Sequence, residues 1–217
     1  MSAAKTSLRI TEIFCSIQGE ARDVGFPTVF IRLTGCPLRC VWCDTEYAFH
    51  GGETLEFDTI LSRTAEFNAC RVTVSGGEPL AQRSCVDLLR LLCDKGYLVS
   101  LETSGAMDVS EVDERVVKVI DVKPPGSGES SKNRLENFDH LTSKDQLKFV
   151  ISDREDYDWS LKFIDQHGLA QRCDILFSPV YKVMPAADLA DWLIADQREI
   201  RLQIQLHKYL WGEVAGT

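Results

Sequence analysis

Three cysteines stand close together near the start of the chain. Cys36, Cys40 and Cys43 are separated by three and then two residues, so their thiolates can converge from one short loop. A structural zinc site takes four nitrogen or sulfur ligands, whereas an iron–sulfur cubane held by three cysteines leaves one iron open to bind a substrate or cofactor. The triplet therefore predicts a [4Fe–4S] cluster with an open iron.

Two alternatives to the cluster stay open for the triplet. A distant Cys70 or His50 could complete a zinc site, or the three thiols could simply be buried. Pro37, Arg39 and Asp44 make the segment a poor candidate for a protein core. The chain contains eight cysteines, and clustered thiols in a reducing cytosol indicate a metal site.

The elements that must position these cysteines follow from the pattern of apolar residues. Strands are predicted at Arg9–Phe14, Thr28–Leu33, Arg71–Val74, Leu98–Leu101, Val116–Asp121, Gln146–Ile151, Ile175–Phe177 and Ile200–Gln205. Helices are predicted at Phe57–Phe67, Ala81–Lys95, Glu155–His167 and Ala186–Asp196. Continuous apolar strands that alternate with helices are typical of a mainly parallel sheet covered by helices.

A chain of 217 residues is short for an eightfold barrel, which runs near 250 residues. We therefore expect an α/β fold, a single-domain partial (β/α) barrel over residues 1–217, with about six mainly parallel strands and an added N-terminal strand. Two loops, Cys36–Thr54 and Pro124–Asn133, directly follow predicted strands. Such loops lie at the carboxyl ends of the strands, where parallel sheets bind ligands.

Composition narrows the class of partner. The net charge is −9 and the isoelectric point is about 5.0, which disfavours nucleic acid and anionic membranes as partners. A small-molecule substrate is the better expectation. The sequence has no run of about 20 apolar residues, and Met1–Ile10 is polar, so we expect a cytoplasmic protein.

The CxxxCxxC spacing, with Trp42 before the last cysteine, resembles the signature of the radical S-adenosylmethionine superfamily. The segment Ser75-Gly76-Gly77-Glu78-Pro79 also lies where that superfamily binds the methionine moiety, and glycines there permit a close approach of the backbone. Glu102-Thr103-Ser104-Gly105 follows the next predicted strand, so its carboxylate and hydroxyls could hold the cofactor. A strand-to-helix turn and a helix N-cap are the alternatives for these two segments.

Five further segments resemble the 7-carboxy-7-deazaguanine synthase family, and they extend over nearly the whole chain. These segments are Ile13–Ala21, Phe26–Cys36, Trp42–Thr45, Asp121–Gly128 and Gln205–Tyr209. The resemblance implies a radical lyase that contracts 6-carboxy-5,6,7,8-tetrahydropterin to 7-carboxy-7-deazaguanine with loss of ammonia, a step toward queuosine and related 7-deazapurines. It also implies S-adenosylmethionine and Mg²⁺ as cofactors, an external reductant such as flavodoxin, and a homodimer.

The expected site residues follow from the superfamily and family patterns. The cluster ligands are Cys36, Cys40 and Cys43, and the Thr45 hydroxyl is the expected Mg²⁺ ligand. The expected cofactor contacts are Trp42, Gly77, Glu102, Ser104, Asp121, Val122 and Lys123, although many relatives carry Ser-Pro-Lys where this chain has Asp-Val-Lys. The expected pterin contacts are Ile17, Gln18, Gly19, Arg32, Ser75 and His207.

Two rival functions share the cysteine spacing. An activating enzyme that makes a glycyl radical on a protein partner has a similar length, but it has no need for Arg32 and the segment Gln18–Glu20. A non-catalytic iron–sulfur or zinc-binding module is the rival from another class, and it requires a fully ligated metal.

Overall fold

The computed structural model describes residues 6–214 and 216, so residues 1–5, 215 and 217 of the expected domain lie outside the described residues. The described strands form one sheet in the order β3-β1-β2-β4-β5-β6-β7-β8-β9. These strands are β1 Ser7–Ile17, β2 Pro27–Leu33, β3 Glu53–Glu56, β4 Arg71–Gly76, β5 Leu98–Thr103, β6 Val117–Val122, β7 Gln146–Ile151, β8 Asp174–Pro179 and β9 Arg201–Leu202. The α-helices are α1 Phe57–Ala65, α2 Cys85–Asp94, α3 Arg154–His167, α4 Ala186–Asp196 and α5 Leu206–Trp211.

The sheet is mostly parallel, as the sequence predicted. From β2 through β4 to β9, each strand runs parallel to its neighbour. Strand β1 pairs with β2 in the antiparallel direction, and β3 pairs with β1 in the same way. The expected α/β fold with a partial barrel and an added N-terminal strand is confirmed, and the short strand β9 brings the parallel set to seven.

Continuous apolar strands supply the core because a parallel sheet is covered on its faces. In β2 the side chains of Val29, Ile31 and Leu33 are fully buried, and in β7 and β8 those of Phe149 and Phe177 are as well. Helix α3 begins at an Asp153 side chain that accepts from a backbone amide of its first turn, and it ends at Gly168 in the left-handed region. The core thus fixes the strands whose carboxyl ends carry the site.

Three local predictions were wrong. Strand β3, Glu53–Glu56, lies at the edge of the predicted loop Cys36–Thr54, and only its Leu55 is buried, so the apolar pattern is too short to detect. The predicted strand Ile200–Gln205 is reduced to Arg201–Leu202, and helix α5 follows it. The predicted helix Ala81–Lys95 begins later, at Cys85, because Pro79–Ala81 forms a separate 3₁₀ turn.

The helices within residues 6–214 and 216 are short relative to the thickness of a bilayer. None of them combines the length and apolar character needed to cross a membrane.

Candidate active site

A cavity of about 790 Å³ opens at the carboxyl ends of the parallel strands. The loop after β2 and the ends of β4, β5, β6 and β7 contribute to its wall, together with the segment before and within α5. Ligands of parallel sheets bind at this edge. The fold therefore brings the motifs of the sequence analysis to one side of the molecule.

The three cysteines of the triplet line this cavity, and each thiol is half-buried and free. Burial raises the pKa of all three thiols, while the charge of Lys123 acts to lower it. Within residues 6–214 and 216, no group of three or more His, Cys, Asp or Glu side chains is arranged to hold a metal ion.

Hydrogen bonds from the protein hold the cysteine loop in place. The Arg39 guanidinium donates to the carbonyls of Cys36 and Leu38 at 2.8 and 2.6 Å. The Val41 amide donates to the Ser127 carbonyl at 3.1 Å. Because Ser127 belongs to the predicted loop Pro124–Asn133, the two loops at the rim support each other.

Glycines at the end of β4 allow the cysteine loop to lie against that strand. A side chain at Gly77 would place its Cβ 2.3 Å from the Gly35 carbonyl oxygen and 2.8 Å from the Cys36 Cβ. A Cβ at Gly76, where φ is 153°, would lie 2.3 Å from the carbonyl oxygen of Leu33. The double glycine is therefore a steric requirement of the site, and a simple turn does not account for it.

Glu78 connects the glycine segment to the end of β5. Its buried carboxylate accepts from the Thr103 hydroxyl at 2.9 Å, from the Ser104 amide at 2.7 Å and from the Ser104 hydroxyl at 2.5 Å. Ser104, expected at the cofactor, thus lies in the cavity wall with its proton directed to Glu78. The motif contained Glu78, but nothing in the sequence pattern indicated its partners.

A second polar group joins β1, β4 and β5. The Gln18 amide donates to Glu102 Oε1 at 3.2 Å and to the Thr73 hydroxyl at 3.1 Å, and the Ser75 hydroxyl donates to Glu102 Oε2 at 3.0 Å. Burial raises the pKa of Glu102, and the charge of Glu20 raises it further. Glu102, expected at the cofactor, is in contact with two residues expected at the pterin.

A chain of alternating charges crosses the floor of the cavity. Lys123 Nζ lies 2.9 Å from Asp121 Oδ2, while Lys148 Nζ lies 3.8 Å from the same oxygen and 2.6 Å from Glu20 Oε2. Burial alone would lower the pKa of Lys148, but the charges of Glu20, Asp121 and Glu102 raise it well above its usual range. Among residues 6–214 and 216, Asp121 Oδ1 is buried without a hydrogen-bond partner, so it keeps its capacity to accept one.

The Arg32 side chain reaches the cavity from β2, and a hydrogen bond to Glu12 fixes its Nε. Its Nε donates to Glu12 Oε1 at 2.7 Å, and the Tyr47 hydroxyl donates to the same oxygen at 2.8 Å. Burial raises the pKa of Tyr47 to about 12, although Arg32 opposes that shift. These contacts use Nε of Arg32, and they leave the terminal amino groups of the guanidinium for a ligand.

The segment that begins α5 covers part of the cavity. His207 packs so closely on Gly19 that a Cβ at Gly19 would lie 2.1 Å from its Nδ1. Burial lowers the pKa of His207, which favours the neutral imidazole. Lys208 Nζ lies 2.5 Å from Asp44 Oδ2, and although burial alone would raise the pKa of Asp44, Lys208 holds it well below its usual range.

Most of the expected site residues line the cavity. They are Ile17, Gln18, Arg32, Cys36, Cys40, Trp42, Cys43, Thr45, Ser75, Gly77, Glu102, Ser104, Asp121, Lys123 and His207. Two expected residues lie elsewhere, because Gly19 is beneath His207 and the side chain of Val122 packs in the hydrophobic core. No site contact was expected for the charged and amide residues that hold the others, namely Glu12, Glu20, Asp44, Glu78, Lys148, Gln205 and Lys208, although Glu20 and Glu78 lie within the motifs.

A parallel partial barrel with a three-cysteine loop at its carboxyl rim is the arrangement of a radical S-adenosylmethionine enzyme. The family model described as the radical SAM superfamily matches residues 30–164 of this chain. The cofactors implied by that class are a [4Fe–4S] cluster and S-adenosylmethionine. The residues present fit them, because three free thiols and the close-approaching Gly77 backbone share one cavity.

Relatives over the full length narrow the class further. The chain is 42% identical to the 7-carboxy-7-deazaguanine synthase of Koribacter versatilis, over 94% of this chain and 97% of the relative. It is 41% identical to the synthase of Chlorobaculum tepidum, over 97% of each chain. The chain therefore belongs to the 7-carboxy-7-deazaguanine synthase family. A crystal structure of QueE from Escherichia coli shares the fold, with a TM-score of 0.75 and 21% identity over 93% of this chain and 95% of that chain.

Proposed function

We propose that the residues around this cavity carry out the family's reaction, the contraction of 6-carboxy-5,6,7,8-tetrahydropterin to 7-carboxy-7-deazaguanine with loss of ammonia. The observation that carries the proposal is the position of Gln18, Ser75 and Glu102 in the same cavity as the three cysteines. A glycyl-radical activating enzyme would have no use for this buried polar group.

The cofactor side of the cavity is formed by the cysteine loop and the ends of β4 to β6. Cys36, Cys40 and Cys43 would hold the cluster, while Gly77, Ser104, Asp121 and Lys123 would hold S-adenosylmethionine, with Trp42 beside its adenine and Val122 contributing backbone alone. When bound, the cluster and S-adenosylmethionine supply the 5′-deoxyadenosyl radical that removes a substrate hydrogen and begins the ring contraction. The unpaired Asp121 Oδ1 supports this placement, because a carboxylate oxygen can accept from a ribose hydroxyl as readily as the usual serine can.

The substrate side is formed by β1, β2, the Ser75 position of β4, β5 and the start of α5. Arg32 would bind the pterin carboxylate with its free terminal amino groups, which a guanidinium does bidentately. Gln18, Ser75 and Glu102 would bind polar atoms of the pterin ring, because each Glu102 oxygen keeps a lone pair beyond its present hydrogen bond. Ile17 and His207 would enclose the ring. Gly19 has no side chain, so it would leave space for the imidazole of His207.

Two carboxyl groups of the cavity, Glu20 and Glu102, differ in how readily they take up a proton. Lys148 keeps Glu20 ionised, since its charge and hydrogen bond lower the pKa of that carboxyl against the effect of burial. Burial and the nearby Glu20 charge raise the pKa of Glu102. Groups whose environments push their pKa values apart take different roles in proton transfer. Of the two carboxyls, Glu102 would therefore be the one that takes up a proton more readily.

Mg²⁺ would bind at Thr45 and help to orient the substrate carboxylate. Mg²⁺ keeps several waters and takes few protein oxygens, so a single hydroxyl in the cavity wall suits it. Thr45 lines the cavity, and its hydroxyl donates to Asp44 Oδ1 at 2.9 Å, which leaves both lone pairs of the hydroxyl for other partners. The chemistry of this donor set fits the ion.

We also propose a working form for the enzyme. Each chain would act as one radical S-adenosylmethionine domain in a cytoplasmic homodimer that takes its electron from an external reductant such as flavodoxin. The free thiols support a reducing compartment. Light scattering should give twice the chain mass of 24.4 kDa, and the chain mass alone would contradict the dimer.

One experiment tests the reaction. The protein, reconstituted anaerobically with iron and sulfide, is incubated with S-adenosylmethionine, dithionite and the carboxytetrahydropterin, and the products are separated by mass spectrometry. We expect 7-carboxy-7-deazaguanine and 5′-deoxyadenosine, and neither product from the Cys40→Ala variant. A cluster-replete protein that forms no deazaguanine would contradict the proposal.

A further inference from the structure

Lys208 of helix α5 is bound to the residue between the last cluster cysteine and Thr45. Its ammonium lies 2.5 Å from Asp44 Oδ2, and the residue is 8% exposed, so the pair is largely shielded from water on the lysine side. The two residues are 164 positions apart in the chain. A long-range contact of this kind fixes one end of the chain to the cysteine loop.

The second oxygen of the same carboxylate determines the direction of the Thr45 hydroxyl. Asp44 Oδ1 lies 2.9 Å from Thr45 Oγ1 and accepts its proton. A hydroxyl has one proton and two lone pairs, and a cation binds through a lone pair. With the proton held by Asp44, the lone pairs of Thr45 are free to face the cavity that Thr45 lines.

Gln205 braces the same carboxylate from the segment before α5. Its Nε2 lies 3.2 Å from Asp44 Oδ2 and 2.8 Å from Glu20 Oε1. The Leu206 amide, next in the chain, donates to the Gly19 carbonyl at 3.0 Å. The start of α5 is therefore fastened both to the cysteine loop and to the end of β1, so its position next to Thr45 is built into the fold.

These contacts also bear on the part that Asp44 itself would take at a cation. Oδ1 accepts from Thr45, and Oδ2 accepts from Lys208 and Gln205. An ammonium beside Oδ2 would repel a second cation at that oxygen. The carboxylate can thus act on a cation through the hydroxyl that it orients.

We propose that the Lys208–Asp44 pair is a positioning device that turns the Thr45 hydroxyl toward a divalent cation, which makes helix α5 a part of the magnesium site. The proposal rests on the proposed function, because that function assigns Mg²⁺ to Thr45. Partners that orient a metal ligand typically change metal affinity about 10–100-fold when they are removed.

The test measures cation binding rather than turnover. Mn²⁺ replaces Mg²⁺ as a paramagnetic probe, and free Mn²⁺ is titrated by electron paramagnetic resonance against the cluster-reconstituted protein with bound 6-carboxypterin. We expect Lys208→Met to weaken Mn²⁺ binding about 10–100-fold, and Lys208→Arg, which keeps the charge, to stay within about threefold of wild type. Lys162→Met, an exposed change on α3, is the matched control and should bind as wild type does.

Two further variants separate the possible failures. Thr45→Val removes the hydroxyl. If Mn²⁺ binding is unchanged in this variant, the magnesium assignment of the proposed function is wrong, and so is the positioning role of the Lys208–Asp44 pair. If Thr45→Val weakens binding but Lys208→Met does not, at equal iron content, only the positioning role is overturned. Should Lys208→Met fail to fold, Asp44→Asn keeps the shape and removes the charge. Wild-type Mn²⁺ affinity in Asp44→Asn would likewise overturn the proposal.

Discussion

Replacing Arg32 by methionine should remove affinity for the carboxylate of the substrate and leave affinity for the pterin ring intact. The Arg32 side chain is 17% exposed, and Glu12 holds its Nε at 2.7 Å, which restricts the guanidinium before a ligand arrives. Two charge-assisted hydrogen bonds at about 1.5–3 kcal/mol each give roughly 3–6 kcal/mol. Because each 1.4 kcal/mol is about tenfold, the loss in affinity should be about 10²–10⁴-fold.

The assay compares two stable ligands that differ by one group. Calorimetric binding of 6-carboxypterin and of pterin is measured to the cluster-reconstituted wild type and to Arg32→Met. We expect the preference of the wild type for the carboxylated ligand to vanish in Arg32→Met, with pterin binding unchanged. Arg32→Lys should show an intermediate preference, since lysine keeps the charge but loses the planar fork.

Glu12 supplies the internal control. Glu12→Gln keeps a hydrogen-bond acceptor for Arg32 but removes the charge that fixes its Nε, so the preference for 6-carboxypterin should fall by about tenfold, or about 1.4 kcal/mol. If Arg32→Met weakened both ligands equally, Arg32 would support the shape of the cavity and would not bind the carboxylate. If Arg32→Met kept the wild-type preference for 6-carboxypterin, the assignment of Arg32 to the substrate carboxylate would be wrong.

Four other changes have definite expected outcomes. Gly77→Ala should cost most of the bound iron, measured as iron per chain after reconstitution, because its Cβ would lie 2.8 Å from the Cβ of Cys36. Lys148→Met should lower the free energy of unfolding in urea by about 3–5 kcal/mol, because it leaves the buried Glu20 charge without its partner. The folded protein lowers the pKa of Glu20 below its ordinary value of 4.5. The stability that the Glu20 charge contributes is therefore present above about pH 4.5 and is lost as the pH falls below it. The difference in free energy of unfolding between wild type and Glu20→Gln should narrow in acid. Cys173→Ala, at a buried thiol outside the cavity, should leave the iron content intact.

Each of these outcomes can fail separately. Full iron content in Gly77→Ala would show that the loop can move away from β4. A stability gap between wild type and Glu20→Gln that widens in acid would show that the folded protein raises the pKa of Glu20. Iron loss of a quarter or more in Cys173→Ala would mean that the three ligands were chosen too narrowly.

The residues proposed to hold the cofactor could be predicted from the sequence because they lie in contiguous motifs. Cys36, Cys40 and Cys43 lie in one loop, and the glycine pair lies at the end of one strand, so their spacing alone carries the chemistry. The pattern also located the strands that bear them, because a buried parallel strand such as β6 is mostly apolar, with Val117, Val119, Ile120 and Val122.

The charged partners could not be predicted because the sheet brings them together from distant strands. Glu20 and Lys148 are 128 positions apart. Lys148 interrupts the apolar strand β7, but the pattern does not indicate Glu20 as its partner. Helix α5 was missed for a related reason. It has only six residues, and Tyr209 and Leu210 are exposed, so it has no apolar stripe. Its position depends on side-chain contacts that Gln205 and Lys208 make with the rest of the site.

The side-chain contacts of Gln205 and Lys208 link the two sides of the cavity. In the proposed function the cysteine loop would form the cofactor side, and Gln18 with Glu20 would form the substrate side. Gln205 bonds both Asp44 and Glu20, so a movement of one wall must move or break the contact with the other. In the proposed reaction the two walls would hold the cofactor and the substrate, and a small misplacement of reacting groups can cost about 10²-fold in rate. The start of α5 therefore has a physical reason to bond both walls, since it would fix the distance between the two binding regions.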